Sequence, residues 1–104
     1  MRVLTYKVKG QRLSATGNHS GLIAGTKGYL KAQFEFNDDW NGCKKVVQFF
    51  KDDDEHAICL DSNNSCEIPP EVLTDQSFEI VVEGRREDGF RIISNSVKER
   101  QLRR

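Results

Sequence analysis

The sequence has few cysteines and no long apolar run, and both absences exclude classes of protein. Only Cys43, Cys59 and Cys66 occur, and no two of them form a Cys-x-x-Cys pair. A disulfide framework or a zinc site needs more cysteines or closer spacing, so we expect free thiols in a reducing compartment, with Cys59 and Cys66 buried. No stretch approaches the ~20 apolar residues that cross a bilayer, and the N-terminus lacks the apolar region of a secretory signal. We therefore expect neither a membrane partner nor secretion by a signal peptide.

The chain also lacks net charge, because 16 Lys and Arg balance 16 Asp and Glu. A dedicated nucleic-acid binder is usually strongly basic, so direct nucleic-acid binding is not expected. The charges are nevertheless sorted, since residues 52–83 hold ten of the acids and no Lys or Arg. Two arrangements stay open. Strands from acidic and basic segments could pair and neutralise each other, or the acids could gather on one face that mimics a phosphate backbone.

What the sequence does contain is an alternation of apolar and polar residues with a period of two. In residues 29–36, the apolar Leu30, Ala32, Phe34 and Phe36 are separated by polar residues, as in a half-buried strand. The same pattern occupies residues 77–83 and 90–94, with weaker versions at 2–8, 44–51 and 56–60. Turn-forming residues separate these runs at short intervals.

This pattern predicts an all-β fold, a single antiparallel β-sandwich spanning residues 1–104. Helix is limited to one short turn near 70–74, opened by Pro70. The polar tail from about 99–104 is expected to fray. The aromatic side chains are expected on inward rows, where they fill the core.

Catalysis and metal binding are not expected. His19 or His56 could serve a cysteine nucleophile as base, but no local motif places a Cys and a His together. The run Asp52-Asp53-Asp54-Glu55-His56 offers oxygen and nitrogen ligands, yet the alternating ligands and the glycine of a calcium loop are missing. A weakly held divalent ion is the lesser alternative to a solvated hairpin loop. We expect no enzyme activity, no resident metal and no cofactor.

Two acidic segments are the candidate partner-binding residues. One is the run Asp52, Asp53, Asp54 and Glu55, and the other comprises Asp38, Asp39 and Trp40. Tryptophan is enriched among interface hot spots, although core packing is the favoured alternative for Trp40 because its apolar area is large.

Several motifs together resemble a known family. They run Tyr29-Leu30, then Phe34-Glu35-Phe36-Asn37-Asp38-Asp39-Trp40-Asn41-Gly42, Ile68-Pro69-Pro70 and Ile93-Ser94-Asn95-Ser96-Val97. This order is similar to the immunoglobulin-like β-sandwich near the start of phage tail-fibre and upper-baseplate proteins, over residues 22–98. The resemblance implies a sandwich of seven or eight strands and a non-catalytic module. Such a module contacts other virion proteins in tail or baseplate assembly, and homo-oligomers are compatible with it.

The proteins of that family usually continue into long fibre or receptor-binding regions, whereas this sequence stops at Arg104. A small phage-encoded inhibitor of a bacterial defence system is therefore the alternative function. Such an anti-CRISPR-like protein would present residues 52–83 to the nucleic-acid channel of a nuclease. The protein is expected in the virion or in the host cytoplasm under these two interpretations.

Overall fold

The computed structural model describes residues 1–74 and 76–103. Within these residues the chain forms nine strands: β1 (Arg2–Lys9), β2 (Arg12–Thr16), β3 (Leu30–Phe36), β4 (Lys44–Lys51), β5 (Asp54–Cys59), β6 (Ser65–Glu67), β7 (Ser77–Arg85), β8 (Arg91–Ile93) and β9 (Val97–Arg100). Two 3-10 turns, Asp38–Trp40 and Pro70–Val72, complete the described structure. The all-β prediction is confirmed, as is the helical turn at Pro70. The turn that ends at Trp40 was not predicted.

The strands form two sheets that pack as a sandwich. The four-stranded sheet has the order β2-β1-β3-β6, and the five-stranded sheet has the order β5-β4-β7-β8, with β9 also paired to β7. Neighbouring strands are antiparallel except β1 and β3, which are parallel, so the expectation of a purely antiparallel fold is wrong for this pair. The reason is that β2 and residues 17–29 return the chain to the end of the sheet where β1 begins, as a parallel connection requires.

Alternating side chains of both sheets form one core. Tyr6 stacks on Phe34 with ring centroids 4.9 Å apart, and Phe49 lies 6.4 Å from Phe78. The other fully buried large side chains are Leu4, Val8, Leu22, Trp40, Val47, Ile68, Val72, Leu73 and Ile80. Continuous burial of this kind is the main source of stability in a domain of this size.

Trp40 belongs to this core and cannot anchor a partner. Its side chain is 0% exposed, and its Nε1 donates a hydrogen bond of 2.8 Å to the carbonyl oxygen of Gly10. Gly84 lies against the ring, because a Cβ there would come within 2.8 Å of Trp40 Cε3. The interpretation of Trp40 as a contact residue is therefore wrong, and core packing is confirmed.

The C-terminal residues pack rather than fray. Strand β9 pairs with β7 in a register that places Glu99 opposite Phe78, and Glu99 is only 4% exposed. Leu102 continues the contact through a parallel bridge to Ile23. The predicted fraying of the tail about 99–104 is therefore wrong for residues 99–103, while Arg104 lies outside the described residues.

A buried polar network holds this strand in place. Tyr6 Oη donates to Glu99 Oε2 at 2.5 Å, and His19 Nδ1 lies 2.6 Å from the same oxygen. His19 Nε2 faces the carbonyl oxygens of Thr5 and Thr16 at 3.0 and 2.8 Å. Both ring nitrogens of His19 therefore face oxygen atoms of neighbouring groups. The network joins β1, the segment after β2 and β9.

The buried hydroxyl of Tyr6 and the buried thiol of Cys66 make the stability of the fold decrease at alkaline pH. Burial first, and then the charge of Glu99, raises the pKa of Tyr6. Burial also raises the pKa of Cys66 from 9.0 to about 12. A group whose pKa is higher in the folded state stabilises the fold below its unfolded pKa and loses that contribution as pH rises.

We therefore expect the free energy of unfolding to fall above pH 9, where the unfolded thiol of Cys66 ionises, and more steeply above pH 10 with Tyr6. Each group contributes a slope of about 1.4 kcal/mol per pH unit. Urea unfolding across this pH range measures the decrease. The Cys66→Ala variant should lack the part of the pH dependence that comes from the thiol, and Tyr6→Phe should lack the part that comes from the phenol. An unfolding free energy that stays level through this range would contradict the burial of both groups.

Candidate protein-binding surface

The predicted acidic run forms the tip of the β4–β5 hairpin. Strands β4 and β5 are joined by Asp52 and Asp53, with Lys51 and Asp54 paired across the ladder. Asp52 has φ 55°, a left-handed conformation that Asp and Asn tolerate better than most residues. Asp52, Asp53, Asp54 and Glu55 are all exposed. Within the described chain, none of these four carboxylates lies in a salt bridge. We call them the acidic tip.

Of the other described acids in residues 52–83, Glu79 lies across from Phe50 near the tip, whereas Asp61, Glu67 and Glu83 lie elsewhere. The side chain of Asp61 accepts hydrogen bonds from the backbone N–H groups of Asn63 and Ser65, so it shapes a loop. Cross-strand pairs combine opposite charges at Lys31–Glu67, Lys51–Asp54 and Glu79–Lys98. These described acids therefore stand next to basic residues of neighbouring strands, as expected if acidic and basic segments pair and neutralise each other.

The other candidate segment lies at the opposite end of the sandwich. Asp38 and Asp39 are exposed in the 3-10 turn just before β4 begins, whereas the acidic tip follows the end of β4. Asp39 accepts a hydrogen bond of 3.1 Å from Asn37 Nδ2. The eight residues of β4 separate the two segments by about 25 Å. The structure therefore does not bring the predicted partner-binding residues together in one site.

The solvent-facing side of the five-stranded sheet carries an apolar surface that the predictions missed. Val46 and Phe50 on β4, Val81 on β7 and Ile93 on β8 are half-buried. They alternate with inward residues and do not belong to the core or to the apolar residues packed against it. The outer face of an antiparallel sheet is normally polar. We call these four residues the outer stripe.

The sequence carries a signal for this stripe. Val46-Val47, Phe49-Phe50, Val81-Val82 and Ile92-Ile93 are apolar pairs. Since successive side chains of a strand point to opposite faces, each pair puts one apolar residue on the core side and one on the solvent side. The sequence prediction considered only the residues that face the core, and it therefore missed the solvent-facing residue of each pair. The expectation that the aromatic residues lie inward is correspondingly wrong for Phe50.

Charged residues border the outer stripe at both ends of the sheet. At the end where β4 begins, Lys44, Arg85 and Arg91 stand side by side on three strands, and we call them the basic row. At the other end, Glu55 and Glu79 flank Phe50 on the same face, and we call these two carboxylates the acidic row. The six-residue step from Lys44 to Phe50 separates the rows by about 20 Å.

Glu83 lies between the rows without adding a free charge. It is 5% exposed, and its carboxylate accepts hydrogen bonds from Arg91 Nε and Nη2 at 2.9 and 2.7 Å and from Arg85 Nε at 2.9 Å. Burial alone would raise the pKa of Glu83, but the hydrogen bonds from Arg91 and Arg85 outweigh it and lower the pKa below its ordinary value. The middle of the face is therefore locally neutral, with Gln48 as an uncharged polar side chain between Val46 and Phe50.

The three cysteines occupy different environments. Cys66 is buried as expected, Cys43 is half-buried, and Cys59 is exposed, so the expected burial of Cys59 is wrong. Cys59 pairs with Val46 across the ladder, which places its side chain on the outer face of the five-stranded sheet. Its apolar sequence neighbours Ile58 and Leu60 pack against the core, whereas Cys59 lies between them and points to the opposite face of the strand.

Comparisons of this chain with protein-family models, curated proteins and solved structures find no match. In residues 1–74 and 76–103, no helix is long and apolar enough to cross a membrane. The same residues contain no group of three or more His, Cys, Asp or Glu side chains that could hold a metal ion. Function is therefore inferred from the binding surface itself.

Proposed function

We propose that the protein is a non-catalytic module that works through protein–protein contacts made by the outer stripe, in the assembly of a phage tail or baseplate. The observation that carries the proposal is the placement of Val46, Phe50, Val81 and Ile93 on the solvent side of the adjacent strands β4, β7 and β8. Fully burying one such side chain contributes about 1.5–3 kcal/mol. A partner that covers this stripe would gain part of that free energy at each position.

The surroundings of the outer stripe favour the same function. Protein interfaces typically combine an apolar centre with a polar rim, and the basic and acidic rows provide such a rim. The stripe also lies on paired strands, which hold a contact surface in place better than a loop does. The tail or baseplate setting is supported by the resemblance of residues 22–98, from the Phe34-Glu35-Phe36 strand to the Asn95-Ser96-Val97 segment.

The alternative function, inhibition of a bacterial defence nuclease, is supported by the acidic tip. Four exposed carboxylates at one hairpin, without a salt bridge in the described chain, could enter a basic channel. The interleaving of the other acids limits any mimicry of a phosphate backbone to this tip. We therefore favour the assembly module.

Replacing two residues of the outer stripe tests the favoured function. The double variant Val46→Thr, Val81→Thr keeps β-branched side chains, so we expect a change in unfolding free energy below about 0.5 kcal/mol per site. Capture of the partner from phage-infected host lysate should fall at least about tenfold, because polar hydroxyls replace apolar contact area. Val3→Thr, at an exposed position of β1 on the other sheet, is the matched control and should leave capture unchanged.

Neutralising the acidic tip separates the two functions. The triple variant Asp52→Asn, Asp53→Asn, Asp54→Asn should fold normally, since Asn tolerates the left-handed φ at Asp52. For an assembly module, capture should be unchanged and should persist at high salt. For an electrostatic inhibitor, capture should be lost both in this variant and in wild-type protein at ionic strengths near 1 M, where charges are screened within about 3 Å. The second outcome would replace our proposal with the alternative.

A further inference from the structure

Strand β5 forms one edge of the five-stranded sheet, where it pairs with β4 alone. The N–H of Leu60 donates to the carbonyl oxygen of Lys45, and bonded and non-bonded pairs alternate along an antiparallel ladder. The backbone N–H and C=O groups of Glu55, Ala57 and Cys59 therefore point away from β4. Within residues 1–74 and 76–103, no strand pairs with these groups, and we call them the free edge.

The other edge strands of the described chain are shorter, and two of them are closed by side chains. In β2, the Asn95 side chain accepts a hydrogen bond of 2.7 Å from the N–H of Leu13 and donates one of 3.1 Å to its carbonyl oxygen. In β6, Asp61 bonds to both the N–H and the C=O of Ser65. Strand β5 has six residues and contains neither proline nor lysine, the residues that commonly protect a sheet edge from another strand.

The side chains along the free edge leave room for a further strand. Ile58 and Leu60 pack against the core but remain half-buried, and no described strand covers their far side. Ala57 and Cys59 are exposed on the outer face, where Cys59 lies opposite Val46 of the outer stripe. An added strand would place its own alternate side chains about 5 Å from these residues.

Charge is distributed unevenly along the free edge. The acidic tip lies at one end, and none of its four carboxylates is in a salt bridge of the described chain. The other end, from Ala57 to Leu60, is uncharged. An extended segment with basic residues at one end and alternating apolar residues at the other would be complementary to this pattern.

We infer that the free edge binds an extended segment of the partner protein as an additional strand. The segment carries basic residues beside the acidic tip and alternate apolar residues beside Ile58 and Leu60. Strand addition of this kind gains affinity from backbone hydrogen bonds and selectivity from alternate side chains. The inference rests on the proposed function, because it names the kind of segment that a partner covering the outer stripe on the neighbouring strand β4 would supply.

A second copy of the chain fits this edge less well. Strand β5 contains no Lys or Arg, so a pair of β5 strands would place no such cation opposite a carboxylate. In an antiparallel pair centred on Ala57, Glu55 would lie opposite Cys59 and Asp54 opposite Leu60 of the other copy. An in-register parallel pair would bring the two Glu55 side chains together, and like charges in contact are unfavourable. The pattern therefore favours a segment of different sequence.

Amide hydrogen exchange with synthetic peptides tests the free edge directly. The probes are two capped peptides, Lys-Lys-Val-Thr-Val-Thr and its reverse sequence, which cover the parallel and antiparallel directions. In the protein alone, the amides of Glu55, Ala57 and Cys59 should exchange rapidly, and those of Ile58 and Leu60, which face β4, slowly. With about 2 mM of one peptide, exchange at the three edge amides should slow about threefold, as expected for a Kd on the order of 1 mM.

Two variants test the charge and the backbone separately. Glu55 is exposed, so Glu55→Lys should fold normally and bind the Lys-Lys peptide at least about twofold more weakly than wild type. It should bind the matching peptide with Glu-Glu in place of Lys-Lys more tightly than wild type does. Ala57→Pro removes the N–H at the centre of the free edge, where the ladder to β4 does not use it, and should abolish the protection. Urea unfolding checks its fold, and Glu55→Lys tests the same edge with the backbone unchanged.

The outcomes separate this inference from the proposed function. Edge amides that exchange equally fast with and without both peptides would overturn strand addition. If the Val46→Thr, Val81→Thr variant still loses its captured partner in that case, the proposed function stands without it. Protection that grows with protein concentration in the absence of peptide would place a second copy on the edge and would also overturn the inference. Slower exchange in wild type, absent in folded Ala57→Pro, supports it.

Discussion

Replacing Trp40 with alanine is expected to remove a large share of the protein's free energy of unfolding. Removal of a fully buried Trp costs about 3–5 kcal/mol, whereas a small domain is stabilised by only about 5–15 kcal/mol in total. The variant also leaves the carbonyl oxygen of Gly10 without the hydrogen bond that Trp40 Nε1 donates. The loss is expected to be large because Trp40 is the largest fully buried side chain and packs against both Phe36 and Gly84.

Urea unfolding followed by far-ultraviolet circular dichroism measures this effect. Trp40→Phe keeps a ring in the site and should cost clearly less than the alanine variant. Gly84→Ala tests the same contact by adding a Cβ that would lie within 2.8 Å of Trp40 Cε3 and 3.1 Å of Cys43 Cβ. Overpacking of this kind destabilises a fold by about 1–3 kcal/mol. If Trp40→Ala changed stability by less than about 1 kcal/mol, the placement of Trp40 in the core would be wrong.

Replacing Glu99 with alanine is expected to cost about 3 kcal/mol, since removing one partner of a buried charged network leaves the others without compensation. Tyr6 Oη loses its acceptor, and His19 Nδ1 loses the carboxylate that it faces at 2.6 Å. The effect is unusual for a position so close to the C-terminus. It follows from the pairing of β9 with β7 and from the burial of Glu99.

Two variants provide the controls for Glu99. Glu99→Gln keeps an oxygen acceptor for Tyr6 and removes only the charge beside His19, so it should destabilise less than Glu99→Ala. Arg100→Ala changes an exposed residue of the same strand and should stay within about 0.5 kcal/mol of wild type. Equal stability of Glu99→Ala and wild type in urea unfolding would show that the C-terminal residues fray after all.

Strands with a full alternating pattern were predictable from the sequence. In β3 the residues Leu30, Ala32 and Phe34 are buried, as the period of two requires, and Phe78, Ile80 and Val82 repeat this in β7. These segments are long enough for the alternation to stand out. They also each bury three large or tightly packed side chains, so local pattern and tertiary packing agree.

Short strands and long-range pairing could not be predicted in the same way. Strands β6 and β9 have three and four residues, too few to show a period. The parallel pairing of β1 with β3 depends on where residues 17–29 return the chain, and no local pattern reveals it. Burial of Glu99 depends on Tyr6, which lies 93 positions away in the sequence.

The binding surface was predictable only in part. The acidic tip was found because four consecutive acids stand out in the sequence, and it occupies the hairpin that the turn residues indicate. Trp40 was misassigned in the site because its contacts with Gly10 and Gly84 come from distant strands. The outer stripe was missed although the pairs Val46-Val47 and Val81-Val82 mark strands that are apolar on both faces.

The most direct test of function at the outer stripe is the solvent accessibility of its methyl groups. In methyl NMR with a soluble paramagnetic agent, Val46, Val81 and Ile93 should be accessible in the free protein and become protected when the captured partner is added, as expected for the apolar centre of an interface. Val47 and Val82, on the core side of the same strands, should be protected in both states. Stripe methyls that are already protected in the free protein, or that stay equally accessible in the presence of the captured partner, would contradict a role for this face in binding.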